Sequence, residues 1–498
     1  MTRHFPFDTV LVANRGEIAL RILRTVKRLG LKGAIVFHAA DKGAPAIAAA
    51  DIAIEIKGPT PVAAFLDGAQ IIEAAKTAGA GAIHPGYGFL SENAGFARDV
   101  AKAGIASGSG PTKAMPDAIE LMGDKVRARK FVADRGFPVA PSAIEDDDPA
   151  TFVERARAVG APLLIKPSAG GGGKGMRIVR DMAELDEEIV RARSEGQRYF
   201  GDGRLYVERF VENPRHIEVQ VMGDGHGNVV HLFERECSVQ RRFQKIVEET
   251  PSPALSPEQR KDICETAAGI ARAANYRNAG TVEFIYGNGE FYFLEMNTRL
   301  QVEHPVTEEI TGLDLVEIQL LVAAGDKLPM TQEQVTSTGH SIELRVYAES
   351  PARGFVPTTG KVLALEVPEG PGVRMDCGIA KGQAVTTAFD PMLAKLIVHG
   401  ETRAEAIARA RKALGDLVLL GCETNIAFLD RLLADDVFGH GEVHTGTLDA
   451  RPDIAKEPEL TPDEIRRLLA AAAIALRPTR DAADRIPAIH AAIGAWRN

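Results

Sequence analysis

The 498-residue sequence holds only four cysteines and one tryptophan. Cys237, Cys264, Cys377 and Cys422 are scattered and form no CxxC pair. That spacing excludes a disulfide framework and a clustered zinc site, and it fits reduced thiols in a cytoplasmic protein. Long apolar runs are missing too. The opening MTRHFPFDTVLV has no signal-peptide core, and the longest run, residues 468–476, is mostly alanine. A membrane span needs roughly 20 residues, so no membrane association is expected. Positive charge is not in excess: 59 Lys+Arg against 68 Asp+Glu give −9, which argues against a nucleic-acid partner. No GxGxxG follows the first apolar strand, so a dinucleotide site is not expected there. What is present is ordinary globular usage, 45% hydrophobic and 26% charged, on a chain long enough for about two to four domains.

Residues 9–13 read as a buried strand, followed by a helix over 17–29, a strand over 33–37, a helix over 69–78 and a strand over 81–83. This alternation predicts a parallel sheet covered on both faces, an α/β unit ending near residue 115. From about 124 to 327 the pattern is mixed. Helices are expected over 126–135 and 257–274, and strands over 163–166, 205–209, 216–222 and 229–234. From 341 to about 448, short β segments precede a helix over 403–414, an α+β unit. Thr461-Pro462-Asp463-Glu464 is a capping-box signature opening an Ala-rich helix in the tail.

Chemistry concentrates in three places. Ser168-Ala169-Gly170-Gly171-Gly172-Gly173-Lys174-Gly175 cannot serve a helix or strand, because glycine backbone entropy opposes both. After an apolar strand ending in Lys166, and without P-loop spacing, it suits a flap whose backbone N–H groups wrap phosphates. Lys125 is a second candidate for neutralising phosphates. Glu283 and Glu295 flank the turn signal Gly287-Asn288-Gly289. Magnesium beside nucleotide phosphates takes one or two carboxylates, and both must lie on one strand face. A plain two-residue turn would separate them, so a three-residue loop or its bulged equivalent is expected. Asn297 shares their parity. Beyond it, residues 297, 299, 301 and 303 alternate, and an extended segment would direct all four polar groups to one side.

Asn297-Thr298-Arg299-Leu300-Gln301-Val302-Glu303-His304-Pro305 closely resembles the biotin carboxylase family. So do residues 10–19, 84–93, 234–242 and 389–395, and the resemblance runs to about Gly446. It implies an ATP-grasp fold over 116–333, with a lid at about 137–210. A Rossmann-like domain (1–115) would precede it, and an α+β C-terminal domain (334–447) and a tail (448–498) would follow. It implies carboxylation of biotin by ATP and bicarbonate through carboxyphosphate. In the family's pattern Lys125, Lys166, Gly171, Gly172, Gly173, His216, Gln240 and Lys245 look like nucleotide and phosphate contacts. Glu208, with Phe210 and Val211, resembles the adenine and ribose segment. Glu283, Glu295 and Asn297 look like ligands of magnesium or manganese. Arg299, Gln301 and the Val302 backbone resemble the bicarbonate pocket, with Glu303 as general base kept ionised by nearby Arg299. Arg345 looks like the residue that steadies the biotin enolate, near Tyr87. The implied partners are a biotin carboxyl carrier and a carboxyltransferase subunit, with a homodimer or larger complex.

Departures are few. Phe243 stands where the family's pattern has histidine, Pro167 replaces a commoner alanine, and a few extra residues precede Lys125. No Met-Lys-Met segment for biotin attachment occurs, so biotin is expected on a separate carrier, or the chain is part of a longer protein. Another ATP-grasp carboxylate ligase, or a non-catalytic paralogue, are the alternatives. Residues 299–303 and Arg345 oppose the first, and Phe243 is the one feature favouring the second.

Overall fold

A computed structural model describes residues 5–107, 114–167, 176–200, 202–457 and 459–475. The chain forms two units, residues 1–455 and 456–498. In the second, the tail helix Pro462–Ala475 starts at the expected capping box: Glu464 N–H donates to Thr461 Oγ1 and Thr461 N–H to Glu464 Oε2. Among the described residues no helix is long and apolar enough to cross a membrane.

The first unit begins with the expected parallel sheet, in the order Ile52–Glu55, Lys32–Phe37, Thr9–Val12, Ala82–His84, Ala106–Ser107. The helix Gly16–Arg28 buries Ile18, Ile22, Leu23 and Val26, the apolar face its spacing prescribes. Strand order reverses between Thr9–Val12 and Ala82–His84. A crevice opens at the carboxyl ends of strands at such a point. Here it is braced by Asn14, whose Nδ2 donates to Pro85 O at 2.6 Å and Tyr87 O at 2.7 Å.

Antiparallel strands make the rest. An eight-stranded sheet runs Glu290–Asn297, Asn278–Gly287, Arg215–Gly223, Val229–Arg241, Gln244–Thr250, His340–Tyr347, Met392–Gly400, Val373–Cys377. It continues across the expected boundary at 333/334, because Gln244–Thr250 pairs with His340–Tyr347. The Val229–Arg241 strand extends well past the expected end at 234 and carries Glu234 to Gln240 into the sheet. A smaller sheet orders Ser142–Ile144, Leu205–Arg209, Leu163–Pro167 and Arg177–Val179. The glycine-rich residues 168–175, with Gly171, Gly172 and Gly173, lie outside the described residues, as do 108–113.

Alternation in Arg215–Gly223 is a two-sided device. Ile217, Val219 and Val221 pack with Ile263, Ala267 and Ile270 of the helix Pro257–Ala273. His216, Glu218 and Gln220 point to the other face, where the helix His304–Thr311 lies.

The Glu283/Glu295 hairpin resolves the parity question by the bulged route. Its turn is the two residues Asn288 and Gly289, at φ 53° and 83°, between the pair Gly287 and Glu290. Phe284 pairs Phe293 while Glu283 pairs Glu295, so Leu294 is the extra residue. The bulge restores Glu283 and Glu295 to directly opposed positions. A Cβ on Gly289 would meet only Gln259 Nε2 at an ordinary 3.8 Å, so its constraint is conformational. Gly289→Ala is expected to lower stability by about 1–2 kcal/mol, the left-handed backbone penalty, as read by urea denaturation.

Candidate active site

Charged side chains that are almost all buried meet on the polar face of the large sheet. Glu218, 0% exposed, accepts Arg235 Nε at 2.5 Å and also Lys245 Nζ. Arg235, 0% exposed as well, donates further to Gln220 Oε1 at 2.8 Å, Thr307 Oγ1 at 3.0 Å and Gln301 Oε1 at 3.2 Å. Lys245 Nζ reaches Glu303 Oε1 at 2.6 Å and Glu283 Oε1 at 3.2 Å. Arg345 donates Nη2 to Glu303 Oε2 at 2.9 Å and Nε to Glu248 Oε1 at 2.6 Å. Burial opposes the charge of Glu303, but Lys245, Arg345 and Arg235 outweigh it and hold the carboxyl well below the usual range. Glu283 behaves alike: burial raises it, and Lys245 and His216 pull it well below. Burial likewise works against Lys245, yet the carboxylates around it keep it firmly protonated.

A bulge is again needed. Val239 pairs Val247 and Gln240 pairs Lys245, which leaves Ile246 as the extra residue. Lys245 and Glu248, three apart, thereby share a face.

Twelve of the expected site residues line one cavity of 530 Å³: Lys125, His216, Gln240, Lys245, Glu283, Glu295, Asn297, Arg299, Gln301, Val302, Glu303 and Arg345. Gln240 Nε2 lies 2.8 Å from His216 Nδ1, and His216 Nε2 lies 2.9 Å from Glu283 Oε2. Asn297 Nδ2 and Gln301 Nε2 each donate to Glu283 Oε1 at 2.7 Å, and Lys125 Nζ sits 2.7 Å from Glu295 Oε2. An adjoining 400 Å³ cavity contains Tyr87 and shares Gln244, Arg299, Val302 and Arg345 with the first. It opens at the strand-order reversal, where Tyr87 Oη donates to Glu17 Oε1. Lys395 Nζ stands 3.5 Å from Glu17 Oε2 and donates to Val302 O at 2.7 Å.

Lys166 and Glu208 stand apart from these cavities, on the smaller sheet, where they are ion-paired with each other. Phe210 N–H donates to Pro162 O at 2.9 Å, and Val211 is buried against Gly287. Two expectations need correction. Residues 298–303 are not extended: the chain bends at Arg299 and turns at Val302 and Glu303, because Glu303 caps the helix His304–Thr311. The four polar groups reach one cavity by loop geometry. Arg299 does not hold Glu303 ionised either. Its Nε donates to Glu92 Oε2 at 2.8 Å and its Nη2 to Asn297 Oδ1 at 3.1 Å, while Lys245 and Arg345 hold Glu303. Sequence reasoning missed Arg235, Glu218, Glu248 and Glu92. The polar–apolar alternation from His216 to Met222 was the available signal for Glu218.

The donors suit a hard divalent ion. Glu283 and Glu295 are opposed with Asn297 beside them, all offering oxygens, and the cations Lys245 and Lys125 rest on the two carboxylates. Two other groupings, His216/Glu218/Glu283 and Glu218/Cys237/Glu303, bring ligand atoms within 4.8 Å. Both include Glu218, whose oxygens Arg235 and Lys245 already engage.

Family comparisons agree with this architecture. Residues 6–115 match the biotin carboxylase N-terminal domain, 124–331 the carbamoyl-phosphate synthase L chain ATP-binding domain, and 343–450 the biotin carboxylase C-terminal domain. A pyruvate carboxylase subunit from Methanothermobacter thermautotrophicus is 44% identical over 492 residues, 98% of this chain and 99% of that one. Biotin carboxylase of Halalkalibacterium halodurans is 48% identical over 443 residues, 88% of this chain and 96% of that one. The biotin carboxylase domain of Hydrogenobacter thermophilus 2-oxoglutarate carboxylase was solved with MgADP, ADP and bicarbonate. It superposes with a TM-score of 0.80 at 42% identity, over 92% of this chain and all of that one. Fold and site thus define an ATP-grasp ligase. The two flanking domains narrow the class, and the chain belongs to the biotin carboxylase family. Its reaction is the ATP- and bicarbonate-dependent carboxylation of biotin, the first half-reaction of a biotin-dependent carboxylase.

Two outcomes follow from the buried ion network and the bulge. Arg235→Met leaves the buried Glu218 with Lys245 alone and deprives Gln220, Thr307 and Gln301 of their donor, and is expected to cost about 3–5 kcal/mol of stability by urea denaturation. Deleting Leu294, 47% exposed, moves Glu295 and Asn297 to the opposite face. Bicarbonate-dependent ADP release should be lost in that deletion and retained in Leu294→Ala, which keeps the parity.

Proposed function

We propose that the 530 Å³ cavity is where bicarbonate meets the ATP γ-phosphate and that the 400 Å³ cavity receives biotin. The observation that carries this is Glu303, an ionised buried carboxylate lining the first cavity, gripped by Lys245 and by Arg345, which lines both. Lys125, Lys166, His216, Gln240 and Lys245 contact nucleotide and phosphates, and the family resemblance adds Gly171, Gly172 and Gly173, which lie outside the described residues, to these contacts. Glu208, Phe210 and Val211 read adenine and ribose. Glu283, Glu295 and Asn297 would hold magnesium, which supplies charge neutralisation on the phosphates when bound.

Arg299 presents a planar donor fork to bicarbonate, with Gln301 and the Val302 backbone beside it. Glu303 accepts the bicarbonate proton. Held so far below the usual range it is ionised but weakly basic, so Lys245 must first turn toward the incoming anion. Its donors then follow the negative charge to bicarbonate, and basicity returns to Glu303. Bicarbonate oxygen displaces ADP from the γ-phosphorus, giving carboxyphosphate. Carboxyphosphate splits into CO2 and phosphate; the phosphate takes the proton of the biotin ureido nitrogen, Arg345 stabilises the enolate beside Tyr87, and the nitrogen attacks CO2 to form carboxybiotin.

Biotin arrives on a separate carrier, and a carboxyltransferase subunit takes the carboxyl onward. A homodimer or larger assembly, a cytoplasmic location and the partition at 1–115, 116–333, 334–447 and 448–498 belong to the same proposal. The matched domain limits support the partition. Relatives named as subunits of pyruvate and methylcrotonoyl-CoA carboxylases support the partners.

ADP release with bicarbonate and free biotin tests the assignment. Glu303→Gln is expected to lower the rate by about 100-fold or more, and an equal rate in wild type and variant would refute it. Phe243 is 96% exposed at the tip of a two-residue turn, with φ 67°, on the rim of the phosphate-side cavity. Phe243→His adds a donor there, and a lower KM for ATP with little change in the biotin KM is the expected result.

A further inference from the structure

Behind Arg345 lies a second pair of acids that the reaction as described does not use. Glu248 and Glu343 are directly opposed on neighbouring strands, and both are 0% exposed. Glu248 Oε1 accepts Arg345 Nε at 2.6 Å and lies 2.5 Å from its Nη2, while Glu248 Oε2 is buried without a partner. Both oxygens of Glu343 are likewise buried and unpartnered. We propose that Glu248 is the positioning residue for Arg345, and that Glu343 carries one proton shared between the two carboxyls. This rests on the assignment of Arg345 and Glu303 given above.

Charge counting supports it. The groups facing the pair are Lys245 on the Gln244–Thr250 strand, Arg345 and Tyr347 on His340–Tyr347, Lys395 on Met392–Gly400, and Glu303 at the helix cap. Lys245 is already engaged by Glu218, Glu283 and Glu303, and Lys395 by Glu17 and the Val302 carbonyl. Arg345 remains as the cation for Glu248 and half of Glu303, and Glu343 has for its nearest counter-charge only the already shared Lys395. Two opposed carboxylates with one cation between them do not both ionise in a dry site. Burial, with Glu248 opposite, pushes Glu343 well above the ordinary range against the pull of Lys395, and burial lifts Glu248 to about 7 against the pull of Arg345. Glu343 is therefore the neutral member.

The second carboxylate has a reason in the reaction. When Glu303 takes the bicarbonate proton it becomes neutral and loosens its hold on Arg345 Nη2. Without Glu248 the guanidinium would then be a buried cation free to leave its place. With Glu248 on Nε and Nη2, Arg345 stays fixed and frees donor capacity toward the neighbouring cavity, where the enolate forms. Glu343 limits the pair to one negative charge, so Arg345 is held without being neutralised twice.

The test uses the full chain, steady-state kinetics with free biotin over a pH series, and infrared difference spectroscopy. Glu248→Gln is expected to lower kcat/KM for biotin by about 100-fold while the KM for ATP moves less than about twofold. Glu343→Gln is expected to remove one protonated-carboxyl C=O band present in wild type at neutral pH. It should also move the alkaline fall of biotin kcat/KM to higher pH, since glutamine cannot release the shared proton. Wild-type biotin kinetics in Glu248→Gln would overturn the positioning role, and no lost band in Glu343→Gln would overturn the shared proton. Should Glu248→Gln fail to fold, the band and the alkaline limb decide. Wild type that turns over no bicarbonate overturns the assignment of Arg345 itself, whereas the infrared band does not depend on turnover and separates the two failures.

Discussion

Arg235 and Lys245 sit among Glu218, Glu283 and Glu303, side chains largely removed from solvent, and most of the site is arranged around that fact. Carboxylates removed from water ionise only where cations and donors surround them. Here the cations come from neighbouring strands of one sheet. Arg235 is further tied to Gln220, Thr307 and Gln301, so the sheet, the helix beginning at His304 and the loop before it converge on one guanidinium. The same network that makes Glu303 a stable anion also makes it a poor base until Lys245 turns to a substrate.

Strand register is the second constraint. Lys245 shares a face with Glu248 because Ile246 is bulged, and Glu283 opposes Glu295 because Leu294 is bulged. Each bulge shifts parity by one residue, and each sits where charged groups must share a face. The parallel sheet contributes differently. Its order reverses between Thr9–Val12 and Ala82–His84, and the crevice there meets the large sheet along Arg299, Val302 and Arg345. One chain thus joins two cavities through Gln244, Arg299, Val302 and Arg345, with Glu303 lining the first of them.

Most elements were legible in the sequence. The strand–helix alternation up to residue 115 set the parallel sheet, Asn288-Gly289 set the turn, and Thr461 to Glu464 set the tail cap. Parity reasoning on Glu283 and Glu295 narrowed the hairpin to a loop or bulge, although not to Leu294. The bend at 298–303 was not legible, because alternation in a run of polar residues looks the same whether the chain is extended or turning into a helix. The continuation of the large sheet into His340–Tyr347 was equally hidden, since strand pairing across about ninety residues leaves no local pattern.

The types and spacing of the charged residues belong to the sequence: paired glutamates about a turn, lysines at strand ends, and arginines in a polar run. Which of them neutralise each other was decided in three dimensions. Arg299 went to Glu92 and Lys245 and Arg345 went to Glu303, although Arg299 is the nearer in sequence. Coulomb attraction acts over a few ångströms of space, not along the chain, and burial makes the choice of partner decisive. Only the folded sheet could place Glu343 against Glu248 and leave both without enough cations to ionise.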